Sequence, residues 1–284
     1  MKTPKRILPL VEDGLVDEVI RQLMSGKEAT VYVVRCGTEI RCAKVYKEAD
    51  QRSFRKSVDY TEGRKVKNSR RARAMEKGTR YGRKAQEEAW QNAEVDALYK
   101  LAAAGVRVPQ PYNFHEGVLL MELLTDSEGN AAPRLNDVAL TAERSREYHR
   151  ILITQVVRML CAGIVHGDLS EYNVLVDGLG PVIIDLPQAI DAAANNQACK
   201  MLLRDVENLA TYFGQFAPEL LSTDYGNEIW SLYQRSELHP DSLLTGRFKH
   251  DEKPVDLRSV MREINDTLKE EEARQLARTL RSGP

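Results

Sequence analysis

Long apolar runs are missing from this 284-residue chain, and a stretch such as Gly117-Val118-Leu119-Leu120-Met121 is far too short to span a bilayer. Lys2, Lys5 and Arg6 are followed by no apolar run of signal-peptide length, so export is not expected and the chain reads as cytoplasmic. Paired cysteines are missing too. Cys36, Cys42, Cys161 and Cys199 show no Cys-x-x-Cys spacing and read as ordinary thiols in a reducing compartment. The five histidines are scattered, which leaves no metal-ligand cluster of the zinc type. Excess charge of either sign is absent overall, with a net value of −1, but that value conceals an asymmetry.

Thirteen Lys and Arg stand against Asp59, Glu62 and Glu76 between Arg52 and Lys84, a local charge of +10, while the remainder carries −11. The segment has no sustained apolar stripe and cannot bury enough surface to fold alone, so a flexible insertion is expected over 52–84. So dense a basic run suits RNA or another polyanion; a merely solvated loop is the alternative. Around it the pattern alternates between strand and helix. Apolar residues from Ile7 to Leu23 fall close to helical spacing and predict a short helix interrupted by Pro9 and Gly14. Strands are expected at Val31–Val34, Ile40–Tyr46 and Val118–Leu124, and a helix at Lys84–Ala104 ending on Gly105, with Pro109 and Pro111 keeping the chain extended beyond it. A helix over Ala142–Gly163, a hairpin around Asp177-Gly178 and a helix over Cys199–Phe216 follow, then a charge-laced helical tail over Val260–Leu280. The length suits two lobes.

What is present points to phosphoryl transfer. Residues 166–173 read His-Gly-Asp-Leu-Ser-Glu-Tyr-Asn, and Ile183-Ile184-Asp185 ends twelve residues after that asparagine. An acidic residue five positions before an Asn can orient a hydroxyl for attack while the Asn amide oxygen holds a magnesium ion. A second Asp on the next strand holds metal between the phosphates. Asp168, Asn173 and Asp185 are the candidates, and an ordinary exposed turn is the competing interpretation. Upstream, Ser25-Gly26-Lys27-Glu28-Ala29 runs into a β-branched strand, although Met24 and Ala29 occupy places where a kinase glycine loop has its outer glycines. Thirteen residues beyond Val31, Lys44 lies among apolar neighbours and can reach the α- and β-phosphates; a lysine snorkelling to water is the alternative.

Taken together, Ser-Gly-Lys-Glu-Ala, the Lys44 strand, the catalytic-loop octapeptide and Ile184-Asp185-Leu186-Pro187-Gln188 resemble the RIO family of atypical serine/threonine protein kinases, in a bacterial-type version, over roughly residues 8–218. The resemblance implies an α+β, two-lobed protein-kinase-like fold with a small β-rich N-lobe, a larger mostly helical C-lobe and no activation loop. Its expected parts are an N-lobe over 1–121, a C-lobe over 122–218 and a C-terminal helical extension over 219–284. It also implies that Glu94, four residues after Trp90, pairs with Lys44, where otherwise a solvated helix-face charge would be the reading. Ser25, Gly26 and Lys27 would cover the triphosphate of ATP. Val31, Cys42, Met121, Leu175 and Ile184 would sandwich adenine, with Met121 as gatekeeper and backbone groups of Glu122 and Leu124 at the adenine edge. Asn173 and Asp185 would hold Mg2+, or Mn2+ in its place, Asp168 would orient the acceptor, and His166 would bond the backbone of the metal-bearing loop.

The chain departs from an ordinary protein kinase in ways that match this resemblance. Ser170 stands where a typical Ser/Thr kinase has a lysine contacting the γ-phosphate, Leu186-Pro187 follow Asp185 in place of Phe-Gly, and no Ala-Pro-Glu follows. Three functions are therefore expected in descending order. The first is a Ser/Thr protein kinase that phosphorylates itself and an undefined protein substrate. The second is an ATPase-driven switch acting through an acyl phosphate on Asp185, with a ribosomal or other ribonucleoprotein particle met through loop 52–84. The third is a small-molecule kinase of the aminoglycoside or choline type.

Overall fold

The computed structural model describes residues 2–47 and 80–248, with the backbone alone over 80–90. Residues 52–79 of the basic segment expected over 52–84, and the tail helix expected over Val260–Leu280, lie outside the described residues. Residues 80–84, expected as the end of the insertion, instead open a helix.

The first lobe is built on a five-stranded antiparallel sheet in the order β1-β2-β3-β5-β4. Its strands are β1 (Glu18–Ser25), β2 (Ala29–Cys36), β3 (Glu39–Tyr46), β4 (Pro111–His115) and β5 (Val118–Glu122). Side chains on a strand alternate between faces, and in β3 the alternation divides the labour. Ala43 and Val45 join Val34, Val118 and Leu120 against Ile7, Leu10, Val16 and Val19 of the N-terminal segment, a closed apolar cluster on one face. Cys42 and Lys44 point the other way, toward the cleft.

That N-terminal segment corrects the expectation of a helix over Ile7–Leu23. Only α1 (Leu8–Glu12) is helical, with Pro9 in its first turn, and Gly14 then takes φ 71°. The chain continues as β1, paired to β2 with register shifts between Val19 and Arg21 and between Gln22 and Met24. Each shift adds one residue to β1 and resets which face its side chains meet. Two bulges therefore turn a period of two into a spacing that imitates a helix.

Between β3 and β4 runs α2 (Arg80–Ala103), which presents Val95, Leu98 and Leu101 to the main core. It stops at Gly105, whose φ of 71° is costly for any side-chain-bearing residue, and the Val106 amide closes the end on the Leu101 carbonyl. The chain then crosses to the second lobe before returning to the sheet. Arg107 grips both carboxylate oxygens of Asp177 at 2.8 and 2.6 Å, accepts from the Ile183 amide, and gives its own amide to Gln155.

The second lobe is mostly helical. Its α3 (Ala142–Cys161) starts on Thr141, whose side chain accepts from the Arg144 amide, and buries Tyr148, Leu152, Val156 and Leu160 at helical spacing. Packed on it are α4 (Ala198–Gly214) and α5 (Tyr225–Gln234), the latter capped by Asp224. Two short antiparallel pairs carry the loops of interest: β6 (Ile164–Val165) with β9 (Ile190–Asp191), and β7 (Val174–Asp177) with β8 (Gly180–Ile183). No helix among the described residues is long and apolar enough to cross a membrane.

Candidate active site

Between the lobes lies a cleft of about 410 Å³, the size of a small-ligand site. Of the residues expected at a nucleotide site, Gly26, Lys27, Val31, Cys42, Lys44, Glu94, Met121, Glu122, Leu124, Asn173, Leu175, Ile184 and Asp185 all line it. Ser25 does not. Its hydroxyl is 3.2 Å from that of Thr30 and accepts from Lys47, whose ammonium also reaches the Gly26 carbonyl at 2.6 Å. Lys47 thus ties the β1–β2 turn to the end of β3, a contact between distant segments that no local pattern announced. Leu98, Pro109, Ala132 and Arg134 also line the cleft without having been anticipated. Arg134 arrives there through a bridge between its backbone and that of Leu175, a long-range pairing with no signature in the sequence.

Opposite the turn, Lys44 and Glu94 form a buried ion pair at 2.5 Å, with side-chain exposures of 13% and 5%. Lys44 also reaches Asp185 at 3.1 Å. Burial opposes the charge on Lys44, but Glu94, Tyr46 and Asp185 outweigh it and hold the ammonium protonated well above the ordinary range. Among the described residues neither the second oxygen of Glu94 nor the buried hydroxyl of Tyr46 has a hydrogen-bond partner. Burial of Asp185 would raise its pKa, yet the Lys44 ammonium and its hydrogen bond prevail and the carboxyl lies below its usual range. Asp185 itself sits at φ 65°, a left-handed conformation that its neighbours impose.

The loop carrying Asp168 is pinned from beneath. Asp205 of α4, 1% exposed, accepts from the amides of Gly167 at 2.8 Å and Leu169 at 3.0 Å. Burial pushes the Asp205 carboxyl up to about 6, against the pull of His166 and those two amides. The Arg204 guanidinium holds the Gly167 carbonyl, and Asn208 donates to the Leu169 carbonyl at 3.0 Å. His166 accepts the Asp168 amide on Nδ1, so Nε2 carries the proton it gives to the Ile184 carbonyl at 3.1 Å. It joins the two functional loops through backbone and has no free nitrogen for proton transfer.

Asp168 is not among the residues lining the cleft but lies against Asn173, which is. Asn173 donates from Nδ2 to the Asp168 carbonyl at 2.8 Å and to its Oδ2 at 3.5 Å. With Nδ2 so committed, the amide oxygen of Asn173 is the atom left for a cation. Gln188 donates to the same Oδ2 at 3.2 Å. Desolvation raises the Asp168 carboxyl above its ordinary range, reinforced by the Asp185 charge and opposed by His166 and Arg204.

The arrangement fits a divalent cation that arrives with phosphates. No group of three or more His, Cys, Asp or Glu able to hold a metal occurs among the described residues. One carboxylate and one amide oxygen are what magnesium uses when substrate oxygens complete its shell.

Comparison with known proteins converges on one family. The RIO domain matches residues 30–225. The chain is 34% identical to the RIO-type serine/threonine-protein kinase Rio1 of Haloferax volcanii over 208 residues, covering 73% of this chain and 67% of that protein. It is 30% identical to the protein of the same name from Methanocaldococcus jannaschii, covering 75% of this chain and 68% of the relative. Against Schizosaccharomyces pombe serine/threonine-protein kinase rio1 it is 29% identical, covering 78% of this chain but only 43% of the fungal protein. The chain therefore spans about two thirds of the archaeal relatives and less than half of the fungal one. A crystal structure of a kinase domain superposes with a TM-score of 0.45 at 16% identity, over 72% of this chain and 65% of that one.

Proposed function

Because the chain belongs to the RIO family, we propose that it transfers the γ-phosphate of ATP to serine or threonine hydroxyls of proteins, itself included. The observation that carries this reading is the convergence of Lys44 and Glu94 from one side of the cleft with Asp185, Asn173 and Asp168 from the other. In this reading Lys44, aimed by Glu94, holds the α- and β-phosphates, and the β1–β2 turn covers them with Lys27. Adenine lies between Val31 and Cys42 above and Leu175 and Ile184 below. The Glu122 amide already bonds Gln110 and the Leu124 carbonyl already bonds Ala132. The Glu122 carbonyl and Leu124 amide are therefore the groups assigned to the adenine edge.

Asn173 Oδ1 and the Asp185 carboxylate would hold Mg2+, which would neutralise charge on the phosphates. Asp168 accepts a hydrogen bond from the attacking hydroxyl through Oδ1 and takes its proton as the new P–O bond forms and the bond from the γ-phosphorus to the β,γ-bridging oxygen breaks, that oxygen leaving with ADP. Positioning and fixed charge supply most of such catalysis. Gatekeeping falls to Met121, paired in register with Cys42.

A second reading is favoured by one observation. Only a short stretch separates Asp185 from the start of α4 at Ala198, and two of its residues are β9, which leaves no room for a peptide-docking activation segment. Asp185, 45% exposed on its side chain, would then be the acceptor itself, forming an acyl phosphate that water later cleaves. Incubation with γ-labelled ATP and then hydroxylamine separates the two. The kinase reading expects a label on Ser or Thr that hydroxylamine leaves in place, and loss of the label would assign the acyl phosphate.

The basic segment supports a polyanionic partner such as RNA. Deleting Lys56–Lys77 is expected to abolish RNA retention while leaving ATP turnover largely intact, because the residues lining the cleft lie elsewhere. Retention by the intact chain should fall linearly on a log–log plot against salt, with a slope of roughly −0.7 per phosphate neutralised on a single strand. Retention that ignores both salt and the deletion would remove RNA from the proposal.

A further inference from the structure

We infer that Gln188 is a positioning residue for the phosphoryl-transfer step, fixing one oxygen of Asp168 so that the other faces the acceptor hydroxyl. The inference rests on the kinase reading above and adds to it a residue with no metal, nucleotide or core role.

Three observations carry it. Gln188 Nε2 donates to Asp168 Oδ2 at 3.2 Å, on the oxygen that Asn173 also approaches. Oδ1 has no hydrogen-bond partner among the described residues, so the carboxylate is held on one side and open on the other. Second, Gln188 makes no other hydrogen bond among the described residues and is only half-buried, so its amide does not serve the core. Third, its backbone is clamped on both sides. Leu186 and Ala189 are buried and joined by the Ala189 amide to the Leu186 carbonyl at 3.1 Å, and Ile190 pairs with Val165 in the β6–β9 ladder. A side chain mounted on so short and fixed a turn has few ways to point.

Ser170 supplies no donor to the Asp168 carboxylate among the described residues. A typical Ser/Thr kinase has a lysine at this position, two residues beyond the catalytic aspartate. Here Ser170 caps a 3₁₀ turn in extended conformation and forms no side-chain cap bond. Gln188, coming from the opposite loop, supplies the closer N–H to Oδ2, at 3.2 Å against 3.5 Å for Asn173. A neutral amide orients without adding charge. A misoriented carboxylate still allows ATP to bind, so losing the donor should cost turnover and spare affinity.

The test compares ATP turnover by the full-length chain, at saturating Mg-ATP, for Gln188→Met, Gln188→Glu and Gln188→Lys beside Asp168→Asn. Methionine keeps the shape and removes the donor; kcat is expected to fall about 10-fold with KM for ATP within about 2-fold, the scale of one hydrogen bond to a charged group. Glutamate sets a like charge against Asp168 and should fall further, whereas lysine restores a donor and should exceed glutamate by at least about 10-fold. Gln188→Met added to Asp168→Asn should change nothing more. Wild-type kcat in Gln188→Met, a loss confined to KM, or equal rates for glutamate and lysine would each overturn the inference. Should the methionine variant fail to fold, the glutamate–lysine contrast decides alone. Full turnover in Asp168→Asn would strike the kinase reading itself, and an inactive Asp168→Asn beside a normal Gln188→Met would strike only the role of Gln188.

Discussion

Asp185→Asn should abolish phosphoryl transfer and weaken Mg-ATP binding, and Asp168→Asn should cut turnover by at least ~100-fold while ATP still binds. The two aspartates differ in surroundings, and the difference predicts the difference in phenotype. Asp185 touches Lys44 at 3.1 Å and has its pKa lowered, so it is a charge in place to meet a cation. Replacing it removes a hard oxygen donor and releases Lys44 from one of its two carboxylates. Asp168 makes no ion pair among the described residues and is approached by two neutral amides. Its loss leaves the nucleotide contacts in place and removes only the group that receives the proton. Initial rates and nucleotide titrations on the same preparations check both halves. Near-normal turnover in either variant would refute the roles.

Removing either member of the buried ion pair should be nearly as damaging as removing both. Lys44→Ala leaves Glu94, 5% exposed, as an uncompensated buried carboxylate whose second oxygen is already unpartnered. Glu94→Ala leaves Lys44 with Asp185 alone and free to swing off the phosphate line. If Glu94 acts only by aiming Lys44, the double variant should turn over little slower than the worse single one. Stability should show the same coupling, with each single variant losing on the order of 3 kcal/mol, the cost of stranding a buried charge, and the double variant less than the sum. Denaturant midpoints and ATP turnover measured together test it. Additive losses in both would make Glu94 a bystander.

The cleft was legible in the sequence wherever chemistry and local period coincide. Lys44 lies on a strand of clean alternation, and a carboxylate, an amide and a second carboxylate bracket one hairpin, so spacing alone put them at one end of paired strands. Glu94 came into view only by resemblance, because a glutamate on a polar helix looks like any solvated charge until its partner fifty residues away is known. Arg134 and Lys47 were hidden for a similar reason, since each enters through a contact between segments far apart in the chain. The misreading of Ile7–Leu23 has a different origin. Val16 precedes β1, and Val19 and Leu23 are separated across the bulges of that strand, where a period-two signal with two insertions no longer looks like one. Gln188 was visible as a letter in a motif, but its reach to Asp168 required both loops to be folded.

The grip of Arg107 on Asp177, with the Ile183 amide bonded to the Arg107 carbonyl, has a mechanical consequence. It fastens the segment just past α2 to the hairpin that carries Asn173 and leads to Asp185. The sheet bearing Lys44 meets the larger half through the Lys44–Asp185 contact at 3.1 Å, so any yawning of the jaws must part those two groups while the Arg107–Asp177 grip holds. Separation of Lys44 from Asp185 would then accompany opening, and release of spent nucleotide would begin at the phosphate end rather than at the base.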